Sequence, residues 1–192
     1  MLPEETIASI NSKNDSPSVF WETLKIIVIS IAIILPIRYY LVQPFFVRGS
    51  SMEPNLENGD YLLVDEIGYR LEEPKRGDTI VFRYPPDPSQ FFIKRIIGLP
   101  GETIEIRSNK VKIYDDKDIV LEESYLEESQ QTLGDVVVRL KADEYFVMGD
   151  NRLQSSDSRR WGPLQKKYII GRAFIRLWPI NEITRIKRVN YQ

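Results

Sequence analysis

The stretch from Thr103 to Tyr114 reads TIEIRSNKVKIY, and it decides the class of fold. Apolar and polar residues alternate on both sides of a polar centre at 107–111, which is the pattern of two β-strands joined by a hairpin turn. Short runs of the same kind, bounded by Gly, Pro, Asn or Asp, recur at 61–64, 79–82, 91–97, 136–138, 145–147 and 173–177. The sequence therefore predicts a mainly β domain over 43–192, with 115–132 as an acidic surface loop.

The residues before this domain have a different composition. Residues 1–18 are polar and predict a flexible tail, because they hold too little apolar surface to become ordered. Residues 26–37 are uncharged and rich in isoleucine. An uninterrupted apolar core of this length fits a buried soluble helix as well as a membrane-spanning helix.

The residues on either side of this apolar core favour a membrane-spanning helix over a buried soluble helix. Lys25 and Arg38 can extend their charged groups to a bilayer surface, and Trp21 and Tyr40 stand where interfacial aromatic residues lie. We therefore predict a transmembrane anchor over 19–42. The anchor is expected to be retained, because no small residues at the spacing of a cleavage site follow it. Positive charges tie on its two sides, so charge alone does not orient it.

Composition narrows the chemistry before any motif is considered. The chain has 192 residues, enough for one folded domain, and a formal net charge of −2, which predicts no nucleic-acid partner. It contains no cysteine and no histidine. A thiol nucleophile, a disulfide, an imidazole base and a zinc site built from Cys or His are therefore excluded. Only carboxylates, lysine or tyrosine remain to move protons in an enzyme.

The run GSSMEPNL at 49–56 carries two serines on a tight loop. Gly49 permits unusual backbone torsion angles, and Pro54 followed by Asn55 favours a turn. A nucleophile needs such exposure, although most loops of this composition are solvated turns. A catalytic serine here requires a base from elsewhere in the chain.

Lys94 is the candidate base, and it lies in the run FFIKRII at 91–97. Alternate residues of a strand share a face, so Lys94 points the same way as Phe92 and Ile96, and Arg95 points the other way. Burial against apolar surface lowers the pKa of a lysine, which makes a neutral amine available to take a proton from a serine. The alternative is an edge lysine whose stem covers apolar surface while its amine reaches water.

A third run, MGDNRLQSSDSRRWG at 148–162, is dense in hydroxyls, amides and paired charges. It fits a solvated turn. It also fits a loop that ion pairs make rigid, so that it delivers a hydroxyl to an active site.

These runs resemble, in order and context, four boxes of the bacterial type I signal peptidase family. The resemblance extends from Gln43 to Trp178, and its boxes are SMEPNL at 51–56, RGDTIVF at 76–82, KRIIGLPGE at 94–102 and GDNRLQSSDSRRWG at 149–162. It implies a signal-peptidase-like β domain of antiparallel sheets with one N-terminal transmembrane helix.

The resemblance also implies a role for each site residue. Ser51 is the nucleophile, Lys94 is the general base and later the general acid, and Ser155 orients the lysine amine by a hydrogen bond. Gly49 stands where some members have a serine, so the backbone amides of Ser51 and Gly49 are expected to hold the oxyanion. The residues that support the site are Met52, Asp150, Asp157 and Arg159, the last two as an ion pair. The resemblance implies neither a metal nor a cofactor.

The implied function is that of a membrane-bound serine endopeptidase with a Ser/Lys dyad, which removes signal peptides from secreted preproteins. Its partners would be preproteins with small residues at the minus-one and minus-three positions and the lipid bilayer, with the translocation machinery as a further candidate. The enzyme would cross the cell membrane once, with its catalytic domain on the outer (trans) face.

Two other functions remain open at this stage. A self-cleaving repressor-like protease also uses Ser and Lys, but it would carry a DNA-binding helical domain in place of the isoleucine-rich segment. A non-catalytic β binding module tethered to the membrane would hold Ser51, Lys94 and Ser155 in this order only by accident.

Overall fold

The computed structural model describes residues 19–40, 42–115, 118–127 and 129–191, so the tail predicted at 1–18 lies outside it. The chain divides into two compact units, with the boundary between Ile37 and Arg38. Helix α1 spans Val19–Tyr40, and its described side chains, 19–35, are all exposed and mostly apolar. Among the residues described, there is no helix whose length and apolar character suffice to span a bilayer. The anchor over 19–42 stays a prediction.

The second unit is built of antiparallel strands, as the sequence predicted. An eight-stranded sheet contains β1 (Val42–Phe46), β2 (Tyr61–Asp65), β3 (Thr79–Arg83), β4 (Phe91–Gly98), β9 (Glu144–Met148), β10 (Leu164–Gln165), β11 (Ile169–Trp178) and β12 (Thr184–Arg185). A four-stranded sheet contains β5 (Thr103–Arg107), β6 (Lys110–Tyr114), β7 (Ile119–Val120) and β8 (Val136–Arg139). Short helices are α2 (Gly68–Leu71), α3 (Ser158–Trp161) and the 3-10 turns Lys166–Tyr168 and Ile180–Glu182.

The order of the strands brings the three predicted site segments together. In the larger sheet the order is β1-β2-β11-β3-β4-β9-β10, with β12 on β11. Strand β4 therefore lies beside β9, and the loop that follows β9 begins next to the middle of β4. Met52 and Leu56, from the loop between β1 and β2, are buried in a core with Leu62, Val64 and Val81.

The hairpin predicted at 107–111 is confirmed. Strands β5 and β6 pair from Thr103 opposite Tyr114 to Arg107 opposite Lys110. Ser108 and Asn109 close the turn with φ angles of 51° and 61°, the left-handed conformation that a two-residue hairpin requires.

The segment 115–132 differs from the prediction of a surface loop. It contains strand β7, and the Leu121 side chain is buried in the core of the smaller sheet. Thr132 is buried as well, and Glu123 is paired with a buried arginine, Arg152. The abundance of charge suggested solvation, but one of these charges is satisfied by a partner within the fold.

Candidate active site

Ser51 lies in the loop between β1 and β2, where the chain turns back on itself. Gly49 has a φ of 91°, a conformation that favours glycine, and the amide of Leu56 donates to the carbonyl of Met52 over 3.0 Å. The Met52 side chain is buried directly after the serine and fixes the loop on the core. Ser51 itself stays partly exposed.

Lys94 reaches this serine from strand β4. Its Nζ lies 2.7 Å from Ser51 Oγ and 2.8 Å from the carbonyl oxygen of Ile93. Only 3% of the residue is exposed, and the amine lies 5.4 Å from the centre of the Phe92 ring. The shared face of Lys94 and Phe92 that the sequence predicted is therefore present, and the alternative of an edge lysine reaching water is wrong.

Burial also changes the acidity of this lysine. It lowers the pKa of Lys94 to about 8 because the charged form loses its hydration, while the negative charges of Asp157 and Asp150 act in the opposite direction. An amine with this pKa is neutral in a substantial fraction of molecules slightly above neutral pH. It can then accept a proton from the hydroxyl beside it.

Ser155 is brought close to the serine loop, but its predicted hydrogen bond to Lys94 is not formed. Its hydroxyl is buried and has no hydrogen-bond partner among the residues that the structure describes. It is nevertheless one of the groups, after Arg159, that lower the pKa of the Asp157 carboxyl. Gly149 fills the gap between the two serines, where a methyl group would collide with the Ser51 carbonyl and the Ser155 side chain.

The two amides predicted for the oxyanion hole differ in their surroundings. The amide of Gly49 donates to Asn58 Oδ1 over 2.9 Å, so it is already occupied. The amide of Ser51 donates no hydrogen bond within the described part of the chain. The geometry therefore favours Ser51 as a donor to an oxyanion and does not favour Gly49.

The loop after β9 is held by the residues expected to support the site. Arg159 Nε and one Nη lie 2.8 Å from the two Asp157 oxygens, which is the predicted ion pair. Asp157 also accepts from the amide of Gly149 over 3.1 Å. The amide of Asn151 donates to the Ser51 carbonyl over 3.1 Å and so ties this loop to the serine loop.

Sequence reasoning missed two members of this support. Arg95 was expected only to point away from Lys94. It is buried and donates two hydrogen bonds, of 2.9 and 2.6 Å, to the Asp150 carboxylate. Asn55 Nδ2 donates to Asp150 Oδ2 over 3.0 Å, which links the serine loop to the same carboxylate. An arginine inside an apolar strand was the available signal, because such a charge needs a buried partner.

The dyad opens into a cleft of about 700 Å³. Apolar side chains line it, namely Phe45, Val47, Leu62, Val81 and Ile93. Gln90, Gln154 and Ser156 supply polar groups at its margins. A peptide in extended conformation would find both apolar surface and hydrogen-bonding groups here.

A family model described as Signal peptidase, peptidase S26, matches residues 20–178. The chain belongs to this family. A signal peptidase I from Leptolyngbya laminosa is 37% identical over 188 residues, with 94% of this chain and 90% of the relative covered. A probable signal peptidase I-1 from a Synechocystis strain is 38% identical, with 88% of each chain covered. The signal peptidase I of Bacillus amyloliquefaciens is 33% identical, with 97% of this chain and all of the relative covered.

Membership of the signal peptidase family gives the reaction. The chain is a serine endopeptidase that hydrolyses the bond between a signal peptide and the protein that follows it. Secretory preproteins are therefore its substrates. Family membership replaces the two alternative interpretations, a self-cleaving repressor-like protease and a non-catalytic binding module.

Proposed function

We propose that this signal peptidase works with a dyad of Ser51 as nucleophile and Lys94 as general base. The observation that carries the proposal is the 2.7 Å separation of Ser51 Oγ and Lys94 Nζ. A lysine kept from water has the lowered pKa that a base needs near neutral pH, about 8 here.

The reaction then follows from the positions of these two groups. The neutral Lys94 amine takes the Ser51 proton as Oγ attacks the scissile carbonyl, and the amide of Ser51 donates to the oxyanion. The Lys94 ammonium gives its proton to the departing amine, which leaves an acyl-enzyme ester on Ser51. Water, deprotonated by the same amine, hydrolyses the ester and restores both groups.

Ser155 belongs to the proposal as a residue that orients Lys94. Its buried hydroxyl, without a partner in the described residues, is available as an acceptor when Lys94 becomes an ammonium. Met52, Asp150, Asp157 and Arg159 have supporting roles, since they are buried or paired around the two loops.

The finer features of the substrate and location are part of the same proposal. The enzyme is proposed to prefer small residues at the minus-one and minus-three positions and to cross the cell membrane once through 19–42, with its catalytic domain on the outer (trans) face. Support comes from the exposed apolar side chains of α1 and, in the catalytic unit, from exposed Phe46, Trp178, Ile180 and Ile183. The bilayer and the translocation machinery are its proposed partners.

Cleavage of a purified preprotein tests the dyad. Ser51→Ala and Lys94→Ala should each abolish turnover, and the double variant should lose little more than either alone, because the two residues act as one unit. Ser129→Ala and Lys112→Ala, at exposed positions, are the matched controls. The rate should rise with pH through a pKa of about 8, as the Lys94 ammonium loses its proton. Full activity of either dyad variant would refute the proposal.

A second experiment tests the membrane part. The chain without residues 1–42 should remain in the soluble fraction, and lipid vesicles should stimulate its cleavage of the preprotein, since apolar side chains are exposed on the catalytic unit. The full chain should stay in the membrane pellet after alkaline carbonate extraction. Release of the full chain by carbonate would contradict the anchor, and the absence of any vesicle effect would contradict a site that faces the membrane.

A further inference from the structure

Tyr125 lies in the segment expected to be a solvated loop, and its side chain contacts four residues outside the dyad. We call Tyr125 and these residues, Glu123, Arg152, Arg95 and Tyr191, the Tyr125 cluster. The ring of Tyr125 faces the Arg95 guanidinium, whose Cζ lies 4.6 Å from the ring centre. This is the distance of a cation–π contact, which is strengthened when both groups are shielded from water.

The backbone of Tyr125 contacts the serine loop. Its carbonyl oxygen accepts from Asn55 Nδ2 over 3.2 Å, and the same Nδ2 donates to Asp150 over 3.0 Å. Asp150 in turn is held by Arg95, the immediate neighbour of Lys94 on β4. Tyr125 is therefore linked through Asn55 to the loop of Ser51 and through Arg95 to the strand of Lys94.

The hydroxyl of Tyr125 is held from three sides. It accepts from Arg152 Nη over 2.7 Å and from the Tyr191 hydroxyl over 3.1 Å, and it donates to Glu123 Oε1 over 2.9 Å. The Arg152 side chain is fully buried, and its Nε donates to the Gly149 carbonyl over 3.1 Å. Gly149 separates Ser51 from Ser155. The Tyr125 hydroxyl is therefore also connected, through Arg152 and Gly149, to the loops of Ser51 and Ser155.

The end of the described chain secures this arrangement. Arg188 Nε donates to Asp78 over 2.7 Å, and the amide of Val189 donates to the Gly77 carbonyl over 3.3 Å. That carbonyl also accepts from Arg95 over 3.0 Å. Tyr191 then reaches Tyr125 from this fixed segment.

We propose that Tyr125, secured by Tyr191, is a positioning residue that keeps Ser51 and Lys94 at reacting distance by holding Arg95, Asp150 and Asn55 in place. The proposal rests on the dyad proposed above. Tyr125 touches neither reacting group, so it acts only through its neighbours.

The expected effects differ from those of a general loss of stability. In Tyr125→Leu the carbonyl remains but the ring and the hydroxyl are lost, so Arg95 grips Asp150 less firmly. We expect kcat to fall about tenfold, equivalent to ~1.4 kcal/mol, with KM within about twofold of the wild type. The pH at half-maximal rate should move upward, because a less well neutralised Asp150 favours the Lys94 ammonium.

Two conservative variants separate the parts of the cluster. Tyr125→Phe keeps the ring over Arg95 and should recover most of the lost kcat. Tyr191→Phe removes only the bond between the two hydroxyls and should lower kcat by a smaller factor. The double variant should lose no more than Tyr125→Phe alone, because the hydroxyls belong to one network.

The matched controls are Tyr114→Leu and Tyr114→Phe. Tyr114 lies in the four-stranded sheet, where its hydroxyl donates to Glu105, and among the described residues no hydrogen bond or aromatic contact joins it to the Tyr125 cluster. These controls should change thermal stability without changing kcat or the pH profile. All variants are made in the full chain and assayed on the same preprotein, with melting temperatures recorded in parallel.

Several results would overturn the inference. An unchanged kcat and pH profile in Tyr125→Leu, with only a lower melting temperature, would make Tyr125 merely structural, and so would an equal loss of kcat in Tyr114→Leu. If Tyr125→Leu is unfolded at the assay temperature, the Phe variants decide instead: we expect a small but measurable fall in kcat in each, and a kcat and pH profile identical to the wild type in both Tyr125→Phe and Tyr191→Phe would overturn the inference. In each of these outcomes the dyad proposal still holds as long as Lys94→Ala abolishes the activity seen in the wild type. Failure of this inference is therefore distinguishable from failure of the proposed function.

Discussion

Lys94 and Arg95 are neighbouring buried cations on opposite faces of strand β4, and they differ in their partners and in the direction of their pKa shifts. Lys94 is 3% exposed and faces a hydroxyl and a carbonyl, whereas Arg95 is 4% exposed and faces a carboxylate. Burial lowers the pKa of Lys94 to about 8. Burial also acts against the charge of Arg95, but the hydrogen bonds and the charge of Asp150 more than offset it, so the pKa of Arg95 is raised.

This difference separates a functional charge from a structural one. A buried cation beside a carboxylate is satisfied and keeps its proton, and it stabilises whatever it connects. A buried cation without such a partner at bonding distance is poised to lose its proton. Adjacent positions on one strand can carry these opposite roles because their side chains point to opposite faces.

The largest effect is expected when Lys94 is replaced by arginine, the residue type of its neighbour on β4. Lys94→Arg keeps the positive charge but cannot release a proton, so we expect it to be as inactive as Lys94→Ala, with a loss of at least about 10⁴-fold in kcat. Single-turnover cleavage of the preprotein measures this. Lys112→Arg, at an exposed position of β6, is the control. Substantial activity in Lys94→Arg would mean that charge alone suffices.

The next effect tests the opposite face. Arg95→Met leaves Asp150 buried without its main partner, which should lower the free energy of unfolding by about 3–5 kcal/mol. Arg107→Met removes a pair whose side chains are 60% and 73% exposed, so it should change the free energy of unfolding far less than Arg95→Met does. Urea unfolding at neutral pH compares the two variants. Equal losses would show that Arg95 is no more structural than a surface arginine.

A smaller effect of opposite sign is expected when the charge of Lys94 is removed. The folded pKa of about 8 lies below the ordinary value of 10.5, so below about pH 8 the protein bears the cost of a charged buried amine. Lys94→Met should therefore raise the free energy of unfolding by about 3 kcal/mol at pH 7. The free energy of unfolding of the wild type should rise between about pH 8 and 10.5, so the difference between Lys94→Met and the wild type becomes smaller over this range. Urea unfolding as a function of pH measures it, and a variant less stable than the wild type at pH 7 would contradict the lowered pKa.

The smallest effect concerns Ser155, whose side chain lies beside Gly149 and the serine loop. Ser155→Ala removes an orienting group but leaves the proton acceptor, so kcat should fall by about 10–100-fold rather than vanish. Ser158→Ala is the matched control, because Ser158, at the start of α3, is also buried but its Oγ accepts from the Val147 amide over 3.0 Å. Ser158→Ala should lower thermal stability and leave kcat nearly unchanged. Complete inactivity of Ser155→Ala would require a role for this hydroxyl in the proton transfer itself.

Much of the fold was predictable because it depends on local patterns. The alternation at 103–114 gave the hairpin, and the runs around Thr79 and Lys94 gave strands β3 and β4 within a residue or two at each end. Strands β1, β10 and β12 were not predicted, since they are short or interrupted by proline and owe their pairing to neighbours far along the chain.

The candidate site was predictable to a similar extent. Ser51 and Lys94 were identified together, and the ion pair of Asp157 with Arg159 was expected from their spacing in a family box. The occupied amide of Gly49 was not foreseen, because Asn58 meets it only when the loop closes. The missing bond of Ser155 and the inward packing of Tyr125 likewise depend on contacts between distant segments.

The sequence by itself determined the class of fold, the absence of imidazole and thiol chemistry, and the candidates for nucleophile and base. These properties depend on residue type, on short spacings and on the resemblance of four boxes. Only the tertiary structure decided which buried cation is paired and which is not, because the carboxylate that pairs with Arg95 lies 55 residues along the chain from it. A lysine pKa depends on burial and on the charges around it in space, and the fold alone sets both.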